Sequence, residues 1–156
     1  MITSLLNGQT LLDDVACDSW QELVDVAGAP LVRQGSVEPV FLQSIKDTIE
    51  RYGAYMVLVD DIALLHARPE AGVHEVAMSL ALLRRPVYLQ DKRVKAAFVF
   101  AAVDQNSHLG LLKELAAILA DDEFLDLLRA GGSREDVLRH LEVAEQTLAT
   151  VDVTPS

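Results

Sequence analysis

Cysteine, proline and aromatic residues are scarce in this sequence. Its 156 residues include one cysteine, five prolines and 5% aromatic side chains. The single thiol, Cys17, cannot form an internal disulfide, which argues against a disulfide-dependent fold and favours a reducing compartment. Cys17 also neighbours the acidic Asp18 and no basic residue, so we expect no reactive thiolate there.

Long apolar segments are missing as well. No run of residues is long enough to span a bilayer, and no basic segment precedes an apolar core at the start of the chain. We therefore expect a cytoplasmic protein that does not insert directly into a membrane.

Positive charge is also in short supply. Asp and Glu number 24 against 13 Lys and Arg, which gives a net charge of −11. Nucleic-acid binding requires basic side chains to neutralise phosphates, so we expect no nucleic-acid partner. The excess negative charge should instead favour basic protein partners. The basic residues that do cluster, which we interpret as solvated strand ends, are Arg84, Arg85, Lys92, Arg93 and Lys95.

Apolar residues make up 51% of the chain, which is a globular composition in a length that suits one domain. We expect a single domain over residues 1–150 and a frayed tail over residues 151–156. A capping-box pattern at Ser19 and Glu22 predicts a helix that extends to about Gln34.

The rest of the chain divides into one more helix, a strand-rich middle and a helical end. Pro39 and Gly53 mark the ends of the second helix. Short apolar runs rich in β-branched residues then predict strands that are buried on both faces. These runs are Tyr55–Val59, Ile62–Leu65, Val76–Leu83 and Val94–Ala102, the last being the best candidate for a central strand.

Three helices are expected after the strands, which makes the fold class α/β. The first begins at Ser107, the second runs from Asp121 to Gly131, and Ser133 caps the third. We expect a single-domain sandwich in which helices flank a mixed sheet of about five strands.

Two of the four histidines follow predicted strands. His66 ends an apolar segment, and His108 lies near the first turn of the helix after the central strand. Ligand-binding loops gather at the carboxyl ends of strands, and a helix N-terminus favours an anion. A neutral, oriented imidazole at that edge could attack a phosphoryl group while the second histidine stabilises its charge. From spacing alone, His66 could equally be an ordinary histidine at a strand end that makes a structural hydrogen bond.

The sequence gives little support for other catalytic or metal-binding sites. His74 lies in a predicted turn, and His140 lies on the last predicted helix, one residue before the apolar position Leu141. We expect both histidines at the surface. The sequence has no Gly-rich phosphate loop and no paired Cys-x-x-Cys motif, and His66 and His74 are too far apart for a helical zinc pair. We therefore expect neither a metal nor a bound cofactor.

The segments around the two histidines resemble a known family. Residues 62–73 read Ile-Ala-Leu-Leu-His-Ala-Arg-Pro-Glu-Ala-Gly-Val, and residues 100–109 read Phe-Ala-Ala-Val-Asp-Gln-Asn-Ser-His-Leu. They resemble the active-site blocks of the mannitol/fructose-type enzyme IIA domains of the bacterial phosphoenolpyruvate sugar phosphotransferase system (PTS). The resemblance covers about residues 4–145. Further segments that look most like the ascorbate-type branch are Val37-Glu-Pro39, Tyr52-Gly-Ala-Tyr55 and Arg84-Arg-Pro-Val87.

The resemblance implies a phosphoryl carrier. His66 would accept phosphate from phospho-HPr and pass it to a cysteine of enzyme IIB, and through it to the membrane enzyme IIC. His108 would match the assisting histidine of the family. Arg68 and Ser107 are candidate phosphate contacts, and Arg51 falls near an active-site arginine of the mannitol branch. The family needs no metal or nucleotide.

This sequence also departs from the family. Leu65 stands where proline usually precedes the histidine. Asp60 and Asp61 replace the usual turn pair, and a carboxylate so near His66 could raise its pKa.

Three roles stay open: a transport carrier of ascorbate-like or fructose/mannitol-like type, a regulatory protein that binds a target according to its phosphorylation state, and an inactive copy that only binds a partner. The sequence does not specify the sugar, and its apolar content permits a homodimer.

Overall fold

The computed structural model describes residues 2–153, including the side chains of residues 2–146. Within this part of the chain, six helices and four strands follow one another. The helices are α1 (Ile2–Leu5), α2 (Trp20–Arg33), α3 (Pro39–Tyr52), α4 (Gln105–Leu119), α5 (Asp122–Arg129) and α6 (Arg134–Val153). The strands are β1 (Leu11–Val15), β2 (Asp61–Leu65), β3 (Ala77–Leu89) and β4 (Lys92–Ala101).

The first two long helices begin and end where the sequence predicts. The Ser19 hydroxyl accepts a hydrogen bond from the backbone N–H of Glu22 at 3.1 Å and caps α2. The Glu22 carboxylate reaches back to the N–H of Asp18 at 3.0 Å. Pro39 occupies the first turn of α3, and Gly53 ends this helix with a positive φ of 85° that favours glycine.

The C-terminal helices match the prediction in number and order. Ser133 accepts a hydrogen bond from the N–H of Asp136 at the start of α6, as a cap does. The start of α4 differs, because Asp104 and not Ser107 is its N-cap residue. Ser107 lies three residues further on and completes a capping box with Asp104.

The four strands form one mixed sheet in the order β1-β3-β4-β2. β1 pairs with β3 in parallel, β3 with β4 antiparallel, and β4 with β2 in parallel. The predicted central position of β4 is confirmed. Because β2 and β4 are parallel neighbours, their carboxyl ends lie at the same edge of the sheet.

Helices cover both faces of this sheet. α2 and α3 pack on one face, where the core includes Phe41, Leu65 and Val99. α1, α4, α5 and α6 pack on the other, where the core includes Phe98 and Phe124. The inner halves of β3 and β4 are therefore buried on both faces, which explains the nearly continuous apolar runs in their sequence. The predicted α/β sandwich is confirmed.

The strand prediction was wrong in two places. Residues Tyr55–Val59 form no strand, because a turn closes between Val57 and Ala54 and only isolated bonds link the segment to β2, such as Leu64 N–H to Met56 O at 2.9 Å. β1, a short edge strand that contains two acidic residues, was not predicted. The sheet thus has four strands in the described chain instead of about five.

The basic cluster lies at the tip of the β3–β4 hairpin, which is exposed as predicted. Its charges are largely engaged in local contacts. Arg84 pairs with Asp14, Arg93 pairs with Asp61, and the Lys95 ammonium donates to backbone carbonyls of the hairpin.

The backbone of α6 continues to Val153, and residues 154–156 lie outside the described residues, so the frayed tail stays a prediction. None of the helices described is both long enough and apolar enough to cross a bilayer.

Candidate functional site

The site lies where β2 and β4 end. Leu65 pairs with Val99 across these two parallel strands, which places the next residues, His66 and Phe100, side by side. Alternation along a strand turns both of these residues toward the face that α4 covers, since Leu64 and Phe98, two positions earlier, pack in the core on that face.

The His66 side chain is fixed by a hydrogen bond to its own strand. Its Nδ1 lies 2.8 Å from the backbone carbonyl oxygen of Leu64. A carbonyl oxygen only accepts, so Nδ1 carries the proton and donates it. The other ring nitrogen, Nε2, is then left with a lone pair in the neutral ring, which is the form a nucleophile requires.

Burial keeps this ring neutral. Desolvation lowers the pKa of His66 below its ordinary value of 6.5, and the neighbouring His108 lowers it further. The hydrogen bond to Leu64 acts in the opposite direction and does not reverse the shift. At neutral pH the imidazole is therefore uncharged, and its Nε2 keeps a lone pair.

Aromatic rings surround His66. Phe100 stacks against it with ring centroids 4.8 Å apart and planes inclined by 19°. His108 lies at 5.5 Å, and Tyr55 approaches edge-on at 6.3 Å. The predicted meeting of the two histidines at one edge of the sheet is confirmed.

His108 is held by the first turn of α4. Its backbone N–H bonds to the carbonyl of Asp104 at 3.1 Å, and its ring lies 5.5 Å from that of Phe100. The Asp104 carboxylate accepts a hydrogen bond from the backbone N–H of Ser107 at 2.8 Å, and hydrogen bonds from Ser107 are the main cause that lowers the pKa of Asp104. The expectation that the N–H groups of this helix start favour an anion was therefore wrong for that of Ser107.

Ser107 does not fit its predicted role as a phosphate contact. Its hydroxyl bonds to Asp104 at 2.8 Å, so it is engaged in capping. Ser107 is also absent from the residues that line the cleft.

The two histidines open into a cleft of about 540 Å³. Arg68 lines the cleft and is exposed, and among the described residues no carboxylate pairs with it. Arg51 does not line it, but its guanidinium lies 5.3 Å from the ring of Tyr52, which does. The other lining residues are Thr48, Tyr55, Ala67, Pro69 and Gln105.

Sequence reasoning missed the aromatic part of the site. Tyr55 was predicted to lie in a strand and Phe100 in the central strand, and although both fall in segments that resemble the family, neither ring was given a role in the site. The signal for Phe100 was present, because it follows Val99 as His66 follows Leu65, but the register between β2 and β4 is needed to use it.

The suggestion that Asp60 or Asp61 raises the pKa of His66 was wrong. Asp61 lies at the opposite end of β2, five residues or about 16 Å along the strand from His66. Its carboxylate is bonded by Arg93 at 2.7 Å and lies 3.5 Å from Arg129. The pKa of His66 is lowered, and its causes include neither acid.

The remaining histidines and the cysteine lie away from the cleft. His74 is exposed, as expected, and lies 3.2 Å from the Glu38 carboxylate. His140 is more buried than its pattern suggested, because it stacks on Phe124 and bonds Asp121 at 2.9 Å. Burial raises the pKa of Cys17, in line with an unreactive thiol.

Residues 4–143 match the family described as "Phosphoenolpyruvate-dependent sugar phosphotransferase system, EIIA 2". The chain belongs to this enzyme IIA family. Enzyme IIA components are phosphoryl carriers in sugar uptake, so the chain is a phosphotransferase component of that system. The family predicted from the two histidine segments is thereby confirmed.

Individual relatives show the same likeness. The ascorbate-specific PTS EIIA component of Escherichia coli K12 is 32% identical over 140 residues, which cover 86% of this chain and 90% of that protein. A crystal structure of a PTS IIA protein from Streptococcus mutans superposes with a TM-score of 0.82 at 30% identity, covering 88% of this chain and 89% of that one.

A third relative shares the fold. It is the mannitol enzyme IIA of Escherichia coli, whose structure was solved in complex with phosphorylated enzyme IIB. It superposes with a TM-score of 0.77 at 22% identity and covers 88% of this chain and 99% of that one.

Proposed function

We propose that this enzyme IIA carries the phosphoryl group on Nε2 of His66, with His108 as the assisting histidine. The observation that supports this most is the hydrogen bond from Nδ1 of His66 to the Leu64 carbonyl at 2.8 Å. It selects the tautomer whose Nε2 lone pair is free, while burial keeps the ring uncharged.

The carrier cycle has two transfers. First, Nε2 of His66 attacks the phosphorus of phospho-HPr, and the bond from that phosphorus to HPr breaks as the new bond forms. Second, a cysteine thiolate of enzyme IIB attacks that phosphorus, and Nε2 regains its lone pair as the bond to His66 breaks. Nδ1 keeps its proton and its bond to Leu64 throughout, so the ring needs no proton transfer in either step.

Charge stabilisation falls to the side chains around the ring. Phosphoryl transfer depends mostly on positioning and on stabilising the charge of the three phosphoryl oxygens. The His108 ring lies 5.5 Å from that of His66, and the exposed Arg68 guanidinium lines the same cleft. Both side chains can donate hydrogen bonds to the oxygens of a phosphoryl group bound at Nε2, and Arg68 contributes a full positive charge.

The carrier would work with three partners. Phospho-HPr donates the phosphoryl group, enzyme IIB accepts it, and the membrane enzyme IIC acts after enzyme IIB. The mannitol relative bound to phosphorylated enzyme IIB supports the acceptor. The ascorbate-specific relative supports uptake of an ascorbate-like sugar acid, with fructose- or mannitol-like sugars as alternatives.

Intact-mass spectrometry after incubation with phosphoenolpyruvate, enzyme I and HPr tests the proposal. We expect an acid-labile gain of one phosphoryl group in the wild type and in His108→Ala, with slower gain in the latter. His66→Ala should gain none. His74→Ala, which removes an exposed histidine outside the cleft, is the control and should match the wild type.

Two results would contradict the assignment. Phosphorylation of His66→Ala would move the carrier role to another residue, and no gain in any protein would leave a binding protein with an enzyme IIA fold. If His66 is phosphorylated but no enzyme IIB accepts the group, the regulatory alternative replaces transport.

A further inference from the structure

Phe100 occupies a position in the site that goes beyond ordinary core packing. It is 1% exposed and belongs to the core that α4 covers, yet its ring contacts both histidines. Its centroid lies 4.8 Å from that of His66 and 5.5 Å from that of His108. Each imidazole therefore lies against the same buried ring, stacked in the case of His66 and tilted by 43° in the case of His108.

The contact with His66 is the more constrained of the two. The planes of Phe100 and His66 are inclined by only 19°, which is a stacked arrangement. Stacking restricts the tilt of the imidazole plane, and the bond from Nδ1 to Leu64 restricts its rotation within that plane. Together the two contacts aim Nε2 in one direction.

We propose that Phe100 is a positioning residue for phosphoryl transfer, whose ring holds the imidazoles of His66 and His108 in their mutual orientation. The inference rests on the proposed carrier role of His66. It adds a residue that touches neither phosphate nor partner and acts only through the two histidines.

The strand supplies a matched control. Phe98 lies two residues earlier on β4, is buried in the same core and has the same side chain. In the described part of the chain its ring makes no aromatic contact with a histidine. Phe98→Leu and Phe100→Leu therefore remove the same atoms from the same core, and only the second removes the ring beneath the imidazoles.

The first measurement needs no phosphorylation. Nitrogen chemical shifts of the imidazoles, recorded by NMR on the unphosphorylated protein, report the tautomer of each ring. We expect the wild type and Phe98→Leu to show His66 protonated at Nδ1. In Phe100→Leu the His66 ring can tilt away from the Leu64 carbonyl, which weakens the bond that selects the tautomer, so the shifts of His66 should move toward a mixture of tautomers.

The second measurement is the rate of phosphorylation by phospho-HPr. Loss of ring orientation should slow Phe100→Leu by about tenfold or more, while Phe98→Leu stays within about twofold of the wild type. Thermal unfolding of both variants measures the shared loss of core packing. If Phe100→Leu does not fold, Phe100→Met, which keeps more of the volume, replaces it in both experiments.

The outcomes separate the two proposals. An unchanged His66 tautomer in Phe100→Leu, or equal slowing in both leucine variants, would overturn the positioning role. If the wild type itself accepts no phosphate, the carrier proposal fails, while the shift measurement still decides whether Phe100 orients the rings.

Discussion

At the scale of single residues, the chemistry of His66 follows from one neighbour along the chain and one across the sheet. Leu64 selects the protonated nitrogen, and burial beside Phe100 removes water from the ring. Because the imidazolium is the form that burial disfavours, the pKa of His66 is lowered.

This shift predicts the pH dependence of phosphate acceptance. A histidine must be neutral to attack, so acceptance by His66 should persist when the pH falls below 6.5, its ordinary pKa. It should decline only as the pH passes the lowered pKa. An NMR titration of His66, together with phosphorylation rates between pH 5 and 8, measures both quantities.

Asp61→Asn is the informative companion to that titration. Its carboxylate is held by Arg93 at the far end of β2, so the substitution should leave the pKa of His66 unchanged. A downward shift of the His66 pKa in this variant would restore the idea that the acidic pair raises it. A His66 pKa above 6.5 in the wild type would contradict the role of burial.

At the scale of elements, the start of α4 determines where His108 stands. The Asp104 carboxylate accepts the N–H of Ser107 at 2.8 Å, and the Ser107 hydroxyl lies 3.2 Å from the N–H of Asp104. This reciprocal capping box fixes the first turn, which carries His108 one residue later. The same carboxylate accepts the N–H of Ser107, which would otherwise be available to an incoming anion.

Loss of this cap should affect both stability and transfer. Asp104→Ala should lower the free energy of unfolding, because the helix loses its N-cap. It should also slow phosphorylation, because the first turn that holds His108 loosens. Chemical denaturation and the rate of phosphorylation by phospho-HPr are the measurements.

Two variants separate the cap from other effects. Asp104→Asn keeps an oxygen acceptor and should be nearly as stable as the wild type. Ser19→Ala removes the cap of α2, away from the cleft, and should cost a similar stability with no change in rate. Equal rates for Asp104→Ala and Ser19→Ala would show that the cap does not position His108.

At the scale of the whole molecule, net charge governs the encounter with partners. The chain carries −11, and much of its basic cluster is engaged in local contacts at the hairpin tip. A basic partner should therefore be attracted over distances comparable to the Debye length, which shrinks from about 30 Å at 0.01 M salt to about 8 Å at 0.15 M.

The proposed donor can be tested for this attraction. The second-order rate constant for phosphorylation by phospho-HPr should fall as ionic strength rises over that range, by about tenfold or more for steered association. Stopped-flow or quenched-flow kinetics at several salt concentrations provide the measurement. A rate that is independent of salt would show that the docking faces are not complementary in charge.

How much of this protein could be predicted from sequence varies with the distance over which each feature is specified. The starts of α2 and α6 follow from cap residues three positions apart, and the central strand follows from an apolar run. The edge strand β1 could not be predicted in the same way. It is a strand because it pairs with β3, some 70 residues later in sequence.

The segment Tyr55–Val59 shows the opposite error. Its β-branched and aromatic residues favour a strand, but the turn at Ala54 prevents regular pairing with β2. Local propensity is a weak guide where few long-range partners are available, and here the tertiary context overrode it.

The sequence by itself determined that two histidines follow buried strands, which order the elements take, and to which family the chain belongs. Only the tertiary structure decided that Phe100 underlies both rings, that Asp104 fills the start of α4, and that Asp61 is remote from His66. The physical reason is that strand and cap signals depend on neighbours along the chain. Ring contacts and pKa shifts depend instead on strand register and burial, which exist only once the sheet has formed.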